Sequence, residues 1–412
     1  MFREALAEAP ARRFFVAHAQ SCLGTGLAYV ALPLLAYERF DSAWAVSAVL
    51  LPDLLPAIVL GPLLGALVDR VGWRACATVA DVVRGLAFLL VMVAGSLPAM
   101  IVGATLAGVG TALFHPAALT GLPRLTPGSR RPAGMALFSA LDDLGLTVGP
   151  ALTAVALAVV APSTLMGANA ITYFISALLI GTLVRSDLAP EAREAIRPRL
   201  SLLSEARRGI QSVLAQPEVR TLLACSTGVV LCVGVTNVGE VVLAREILDV
   251  GGSGLALMVT AGGVGTALGS LMTRFTRGTA WHWRRAYLVG LGAMMVELLA
   301  CSVLHSFWLL IPALALGGFG NGLALVHDRL LLSESVSESL HGRLFALQKT
   351  LVSLAFAISF VAAGAVIVLG GVQLAFLLSG LTMLGVIALA FPRLRHAWPR
   401  PAPPLAAVPA TR

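Results

Sequence analysis

"ACATVADVVRGLAFLLVMVAGSLPAMIVGATLAGVGTALFHPAALT", residues 75–120, decides the fold class. It holds two long apolar runs, 75–95 and 98–121, parted only by Ser96 and Leu97. Each run has the ~20 residues that a helix needs to cross a bilayer. Asp81 and Arg84 are the only acidic or basic side chains in the stretch apart from His115. They stand three apart, so one helical face carries both. Neither run alternates as a membrane strand does.

The pattern recurs along the chain. Ten further runs have the same character: 14–37, 44–67, 134–160, 163–184, 219–244, 253–275, 286–304, 307–330, 344–369 and 372–391. Of the 412 residues 58% are hydrophobic and 12% charged, with a mean hydropathy of +0.89. That leaves too little polar surface for a soluble protein. The expected fold is an all-α polytopic membrane protein of twelve transmembrane helices in two six-helix halves, 14–184 and 219–391. The polar stretch 185–218 reads as a linker with an amphipathic helix near 200–214. Residues 392–412 read as a Pro-rich, disordered tail, and 1–13 as a lead-in rather than a cleaved signal.

The 29 basic residues fix an expected orientation. With a cytoplasmic N-terminus, the outer loops hold only Arg39 and Arg245. Inner segments hold Arg124, Arg130, Arg131, Arg274, Arg277, Arg284, Arg285 and the arginines of the linker. This is a positive-inside distribution. It accounts for the net charge of +8 without nucleic acid as a partner. The five cysteines, Cys22, Cys76, Cys225, Cys232 and Cys301, lie in apolar segments without metal-like spacing, so no metal site is expected.

The halves repeat each other. "GALVDR" (65–70) matches "GSLMTR" (269–274) at an offset of 204. Gly108, Gly110, His115 and Arg131 match Gly320, Gly322, His327 and Arg343 at an offset of 212. Parallel six-span repeats place a substrate site near mid-membrane, between the halves.

"GALVDRVGWR" then resembles the loop between spans two and three of the major facilitator superfamily, through Gly65, Asp69, Arg70, Gly72 and Arg74. "GLTVGP" (145–150) resembles the fifth-span motif of that family's drug:proton antiporters, and "HGRLFAL" its Gly-Arg entry to span eleven. Two features depart from the antiporters: the fourth span lacks their arginine, and Thr25 stands where related exporters often have an acid. The resemblance implies alternating access. It also implies a cytoplasmic gate in which Asp69 latches the halves, and no cofactor beyond a proton gradient.

The candidate residues follow. Asp81 and Arg84 form either a neutral pair supporting the gate or a charge that biases nearby carboxylates. Asp53 lies between Pro52 and Pro56, either as a proton carrier or as a partner of backbone freed by the kink. Asp142 and Asp143, side by side in span five, are either coupling carboxylates at an inter-half seam or gate contacts for arginines such as Arg343. Asp142 shares a stripe with Gly145 and Gly149. With Pro150 these are expected to meet Gly262, Gly263, Gly265 and Gly269 of span eight across the seam. Gln20, Tyr29, Asn237 and Asn321 line the cavity or tie helices together. Glu240 either pairs with Arg245 or faces the cavity mouth. Glu297, in a span expected to be peripheral, either packs inward or is protonated. His115 and His327 read as repeat partners at the gate.

No Walker A loop, H-E-x-x-H or G-x-S-x-G is present, which argues against ATP drive and against an enzyme. The expected function is proton-coupled export of small amphipathic compounds. Proton-coupled uptake and a non-transporting sensor are the alternatives. The expected setting is a bacterial inner membrane, with a monomer in lipid and both termini cytoplasmic.

Overall fold

The computed structural model describes residue 4 and residues 6–183, 211, 214–275, 280–336 and 340–394. The first six helices are α1 (Ala9–Phe40), α2 (Ala43–Val71), α3 (Trp73–Val93), α4 (Leu97–Leu125), α5 (Arg131–Ala156) and α6 (Pro162–Gly181). Then come α7 (Pro217–Val242), α8 (Gly251–Met272), α9 (Ala280–Val303) and α10 (Phe307–Ser335). The last helical stretch, His341–Leu394, is broken at Gly371 into α11 (341–370) and α12 (372–394). Every expected span is thus a helix, and no strand occurs among the described residues. The linker helix near 200–214 and most of the tail lie outside the described residues, although α12 runs on to Leu394, past the expected end at 391.

Local chemistry sets the helix ends. Proline occupies the first turn of α1, α4, α5, α6 and α7, where its missing N–H costs nothing. Between α2 and α3 the connection is one residue, Gly72, at φ 99°. Gly371 turns the chain between α11 and α12 in the same way, at φ 84°. Side chains are disfavoured at both angles, so glycine permits these one-residue reversals. Large apolar side chains such as Leu63, Val93, Leu178, Val289 and Leu369 point outwards, which fits lipid as the solvent.

Packing separates the halves. In the first, α1 packs on α5 and α6, while α4 packs on α2 and α3, and α3 on α6. In the second, α10 packs on α8 and α9, repeating the α4 pattern, and α7 packs on the α11–α12 pair. The glycines serve these internal contacts. A side chain at Gly26 of α1 would strike the backbone of Gly145 and Gly149. Gly265 and Gly269 face Ala315, Phe319 and Leu323 of α10, and Gly262 meets Gly318. This corrects the expectation of a seam between the halves at Gly145, Gly149, Gly262, Gly265 and Gly269. Close backbone approach lets α1 dock on α5, and α8 on α10, within each half. Helices α5 and α8 do meet across the halves, as do α2 and α11.

The repeat register also shifts. Gly110 packs on Ala80 and Arg84 of α3, but Gly322 packs on α8. Gly320 is the residue that packs on α9, against Gly290 and Met294. The packing offset here is therefore 210 rather than 212. Two residues turn a helix by about 200°, so His115 and His327 are not equivalent. His327 is fully buried and contacts the Leu323 carbonyl, whereas His115 is half-buried, tilted against Phe138.

Several contacts between the halves gather at one end, where α1 finishes. Tyr37 donates to Glu246 at 2.5 Å and Arg245 pairs with Glu38. Arg245 and Glu246 sit on a π-helical turn, Leu243–Ile247, that continues α7. Gly252 lies against Leu34 and Leu157, and Gly364 against Ser47 and Trp44.

Candidate functional site

About 16 Å along α1 from this joined end, Tyr29 donates to the Asn237 side chain of α7 at 2.5 Å. The bond ties the halves together, yet Tyr29 is 46% exposed, so its ring borders an accessible space. Thr25, one turn earlier, is also exposed and bonds the Tyr173 hydroxyl at 2.8 Å. Glu240 is one helical turn beyond Asn237 on the same face of α7. It does not pair with Arg245, which Glu38 takes instead. Among the described residues Glu240 has no ion-pair partner. A carboxylate in apolar surroundings costs free energy until a proton or cation neutralises it.

In the first half two carboxylates, Asp81 and Asp142, have partners. Asp81 is wholly buried and bonds Arg84. The Arg84 guanidinium also lies 4.2 Å from the Phe114 ring centre and 4.3 Å from that of Tyr173. Flanking rings offset part of its lost hydration. Asp142 bonds His18 Nε2 at 3.1 Å and Cys22 Sγ at 3.4 Å. It therefore faces α1 within its own half, not the seam between halves. The Gly145–Gly149 stripe explains this, because that stripe is the face that docks on α1. His18 was not singled out by the sequence, yet it is the centre of this cluster. Its ring stacks on Phe138 at 4.2 Å and lies 6.0 Å from Phe114. Of the described residues, His18, Cys22 and Asp142 form the one group of side chains able to hold a metal ion.

Other expected residues take different places. Gln20 spends its amide on the Thr172 carbonyl at 2.7 Å and the Ala17 carbonyl at 2.9 Å, so it ties α1 to α6. Asn321 is half-buried and makes no hydrogen bond among the described residues. Asp69 and Arg70 are exposed at the end away from the joined one, and make no pair among the described residues. Gly65 has open space around it, and Arg74 bonds the Leu183 carbonyl, fastening α3 to the end of α6. Glu297 faces inward, against Gly317 of α10 rather than lipid. Asp328 accepts a bond from Gln348 at 2.6 Å. The side chains of Asp53, Asp143 and Arg343 lie outside the described residues.

Comparison with known proteins agrees with this architecture. The chain is 28% identical over 403 residues to "Multidrug efflux pump Tap" of Mycolicibacterium fortuitum, covering 90% of this chain and 93% of that one. It is 26% identical over 377 residues to the MFS-type transporter YfiS of Bacillus subtilis, covering 90% of each. The fold resembles the nucleoside transporter NupG, with a TM-score of 0.76, 11% identity, and coverage of 95% of this chain and 100% of that one. A bacterial homologue of the lysosomal transporter Spinster, solved inward-facing and unoccupied, gives a TM-score of 0.71 at 14% identity, over 93% and 96% of the two chains. At such identities these two structures speak for the fold alone. The family profile described as Major Facilitator Superfamily matches residues 14–296. With two halves of six helices joined across α1 and α7, the chain belongs to that superfamily of membrane transporters and is not an enzyme.

Proposed function

We propose that the protein is a secondary active exporter of small amphipathic compounds, driven by proton influx. The observation that carries this reading is the junction of Tyr29, Asn237 and Glu240. It offers an aromatic ring, an amide and an unpaired carboxylate where each half can release the other. A carboxylate without a cation partner can be neutralised by a proton or by the substrate. Making the two alternatives couples their movements in opposite directions. The similarity to an efflux pump supports export. The arginine-rich end lies in the cytoplasm of a bacterial plasma membrane by the positive-inside rule. The joined end then faces outwards, and substrate enters from the cytoplasmic side. One chain suffices, since its own halves build the junction.

Everted vesicles or proteoliposomes with an imposed pH gradient test the reading, with a lipophilic fluorescent dye as the probe. Dye extrusion should follow the gradient and stop when an ionophore collapses it. Extrusion that ignores the gradient removes proton coupling. Movement of solute with the proton instead supports uptake by symport, a direction that the fold shared with the nucleoside transporter accommodates.

A further inference from the structure

A second site stands apart from the junction, inside the first half. We infer that His18, Cys22 and Asp142 bind a divalent transition-metal ion of the zinc class. The three donor atoms form a triangle. Nε2 to Oδ1 is 3.1 Å, Sγ to Oδ1 is 3.4 Å, and Sγ to Nε2 is 3.5 Å. Zinc bound at its usual distances in a tetrahedron separates N from O by ~3.4 Å, and S from O or N by ~3.6 Å. Each observed edge is within about 0.3 Å of the matching one. An ion therefore fits with side-chain adjustments of a few tenths of an ångström.

The supports are rigid. His18 and Cys22 lie four apart on α1, on one face, and the glycine contacts press α5 against that face. Stacking on Phe138, with Phe14 and Phe114 further out, fixes the His18 ring. Locked donors of this kind are what a metal site requires. Charge also fits. A thiolate, a carboxylate and a neutral imidazole around a divalent ion give no net charge, which suits a buried position. His18 is 5% exposed, but the Asp142 side chain is 41% exposed, which leaves a path for entry and a fourth position for water or a donor ligand. Mixed N, S and O donors favour zinc, cobalt or copper over magnesium or calcium.

The test uses the full-length protein, purified without a polyhistidine tag and titrated with Co²⁺ as a spectroscopic probe. The expected result is a near-ultraviolet thiolate-to-cobalt band at one equivalent, erased by added Zn²⁺, and a Zn²⁺-dependent rise in Tm. Cys22→Ser should remove the band while Cys76, Cys225, Cys232 and Cys301 remain. Asp142→Asn and His18→Gln should each weaken binding roughly 10–100-fold or more. Exposed histidines such as His282 and His305 yield no thiolate band. No band in the native protein, or a band that survives Cys22→Ser, overturns the site and leaves a hydrogen-bonded triad. Cys22→Ser is nearly isosteric. Should it fail to fold, Asp142→Asn decides instead: a weakened cobalt band supports the site, and an unchanged one overturns it.

Discussion

In the first half Arg84 holds Asp81 and His18 holds Asp142, while in the second Glu240, Glu297 and Asp328 have no ion-pair partner among the described residues. The helices on either side repeat one packing plan, α2 and α3 on α4 answering to α8 and α9 on α10. The packing plan is thus repeated while the charge pairing is not. Paired charges suit a half that acts as a stiff frame. Unpaired carboxylates keep an open demand for a proton or a cation, and Glu240 places that demand where the halves touch. The largest expected effect tests the frame. Arg84→Met leaves Asp81 buried and alone, and should cost about 3–5 kcal/mol of stability. Asp81→Asn combined with Arg84→Met should regain most of it, read by thermal unfolding in detergent. If the single and double variants lose equally, packing of the Arg84 stem explains the loss and the charge contrast is weakened.

The glycine contacts are where the halves are alike, and they give the next effect. Gly149→Val meets the backbone of Gly26, and Gly318→Val meets that of Gly262. Backbone cannot yield as a side chain does, so each should cost about 1–3 kcal/mol. Gly65→Ala, with open space around it, should stay within about 0.5 kcal/mol. Unequal losses at Gly149 and Gly318 would show that the packing plan is repeated in form but not in strength.

These contacts also show what could be read in advance. The twelve spans were legible because apolar length is a property of a single segment. The Asp81–Arg84 pair was legible because three-residue spacing fixes one face. Gly145 and Gly149 were legible as a docking stripe, but not their partner. A stripe states that a backbone comes close without stating which one. Asp142 was therefore turned towards α8, when the same stripe turns it to α1 and His18. His18 and Cys22 carried a signal in their four-residue spacing, but it gained meaning only with a third donor 120 residues away. The offset of 212 was similarly misleading, because glycine is frequent enough here to align at several registers.

Glu240 sharpens the contrast on the functional side. Glu240→Gln keeps the shape and removes the exchangeable proton. Transport driven by a pH gradient should fall roughly 5–150-fold, the span of a typical coupling free energy, and dye binding should no longer depend on pH. Asp328→Asn is the control from the same half. Its carboxylate accepts from Gln348 of α11, and its loss should leave the gradient response in place. Equal loss in both variants would move the coupling role from the junction to the half as a whole.

The smallest effect belongs to the pair that joins the halves. Arg245 and Glu38 are the same chemical types as Arg84 and Asp81, but about a third of each side chain is exposed. Such pairs contribute about 0.2–1 kcal/mol. Glu38→Gln should therefore shift the balance between joined and parted ends by only about 1.5–5-fold. Spin labels on the ends of α1 and α7 would read this as a larger fraction of long distances. The modest size follows from the task. On the proposed alternating-access cycle, a contact that breaks once in every turn cannot be worth what a buried pair is worth, or the halves would stay closed at that end. Tyr37 and Glu246 beside it divide the same work. Tyr37→Phe together with Glu38→Gln should then add nearly independently. A shift far above the sum would mean that the two bonds form one cooperative latch.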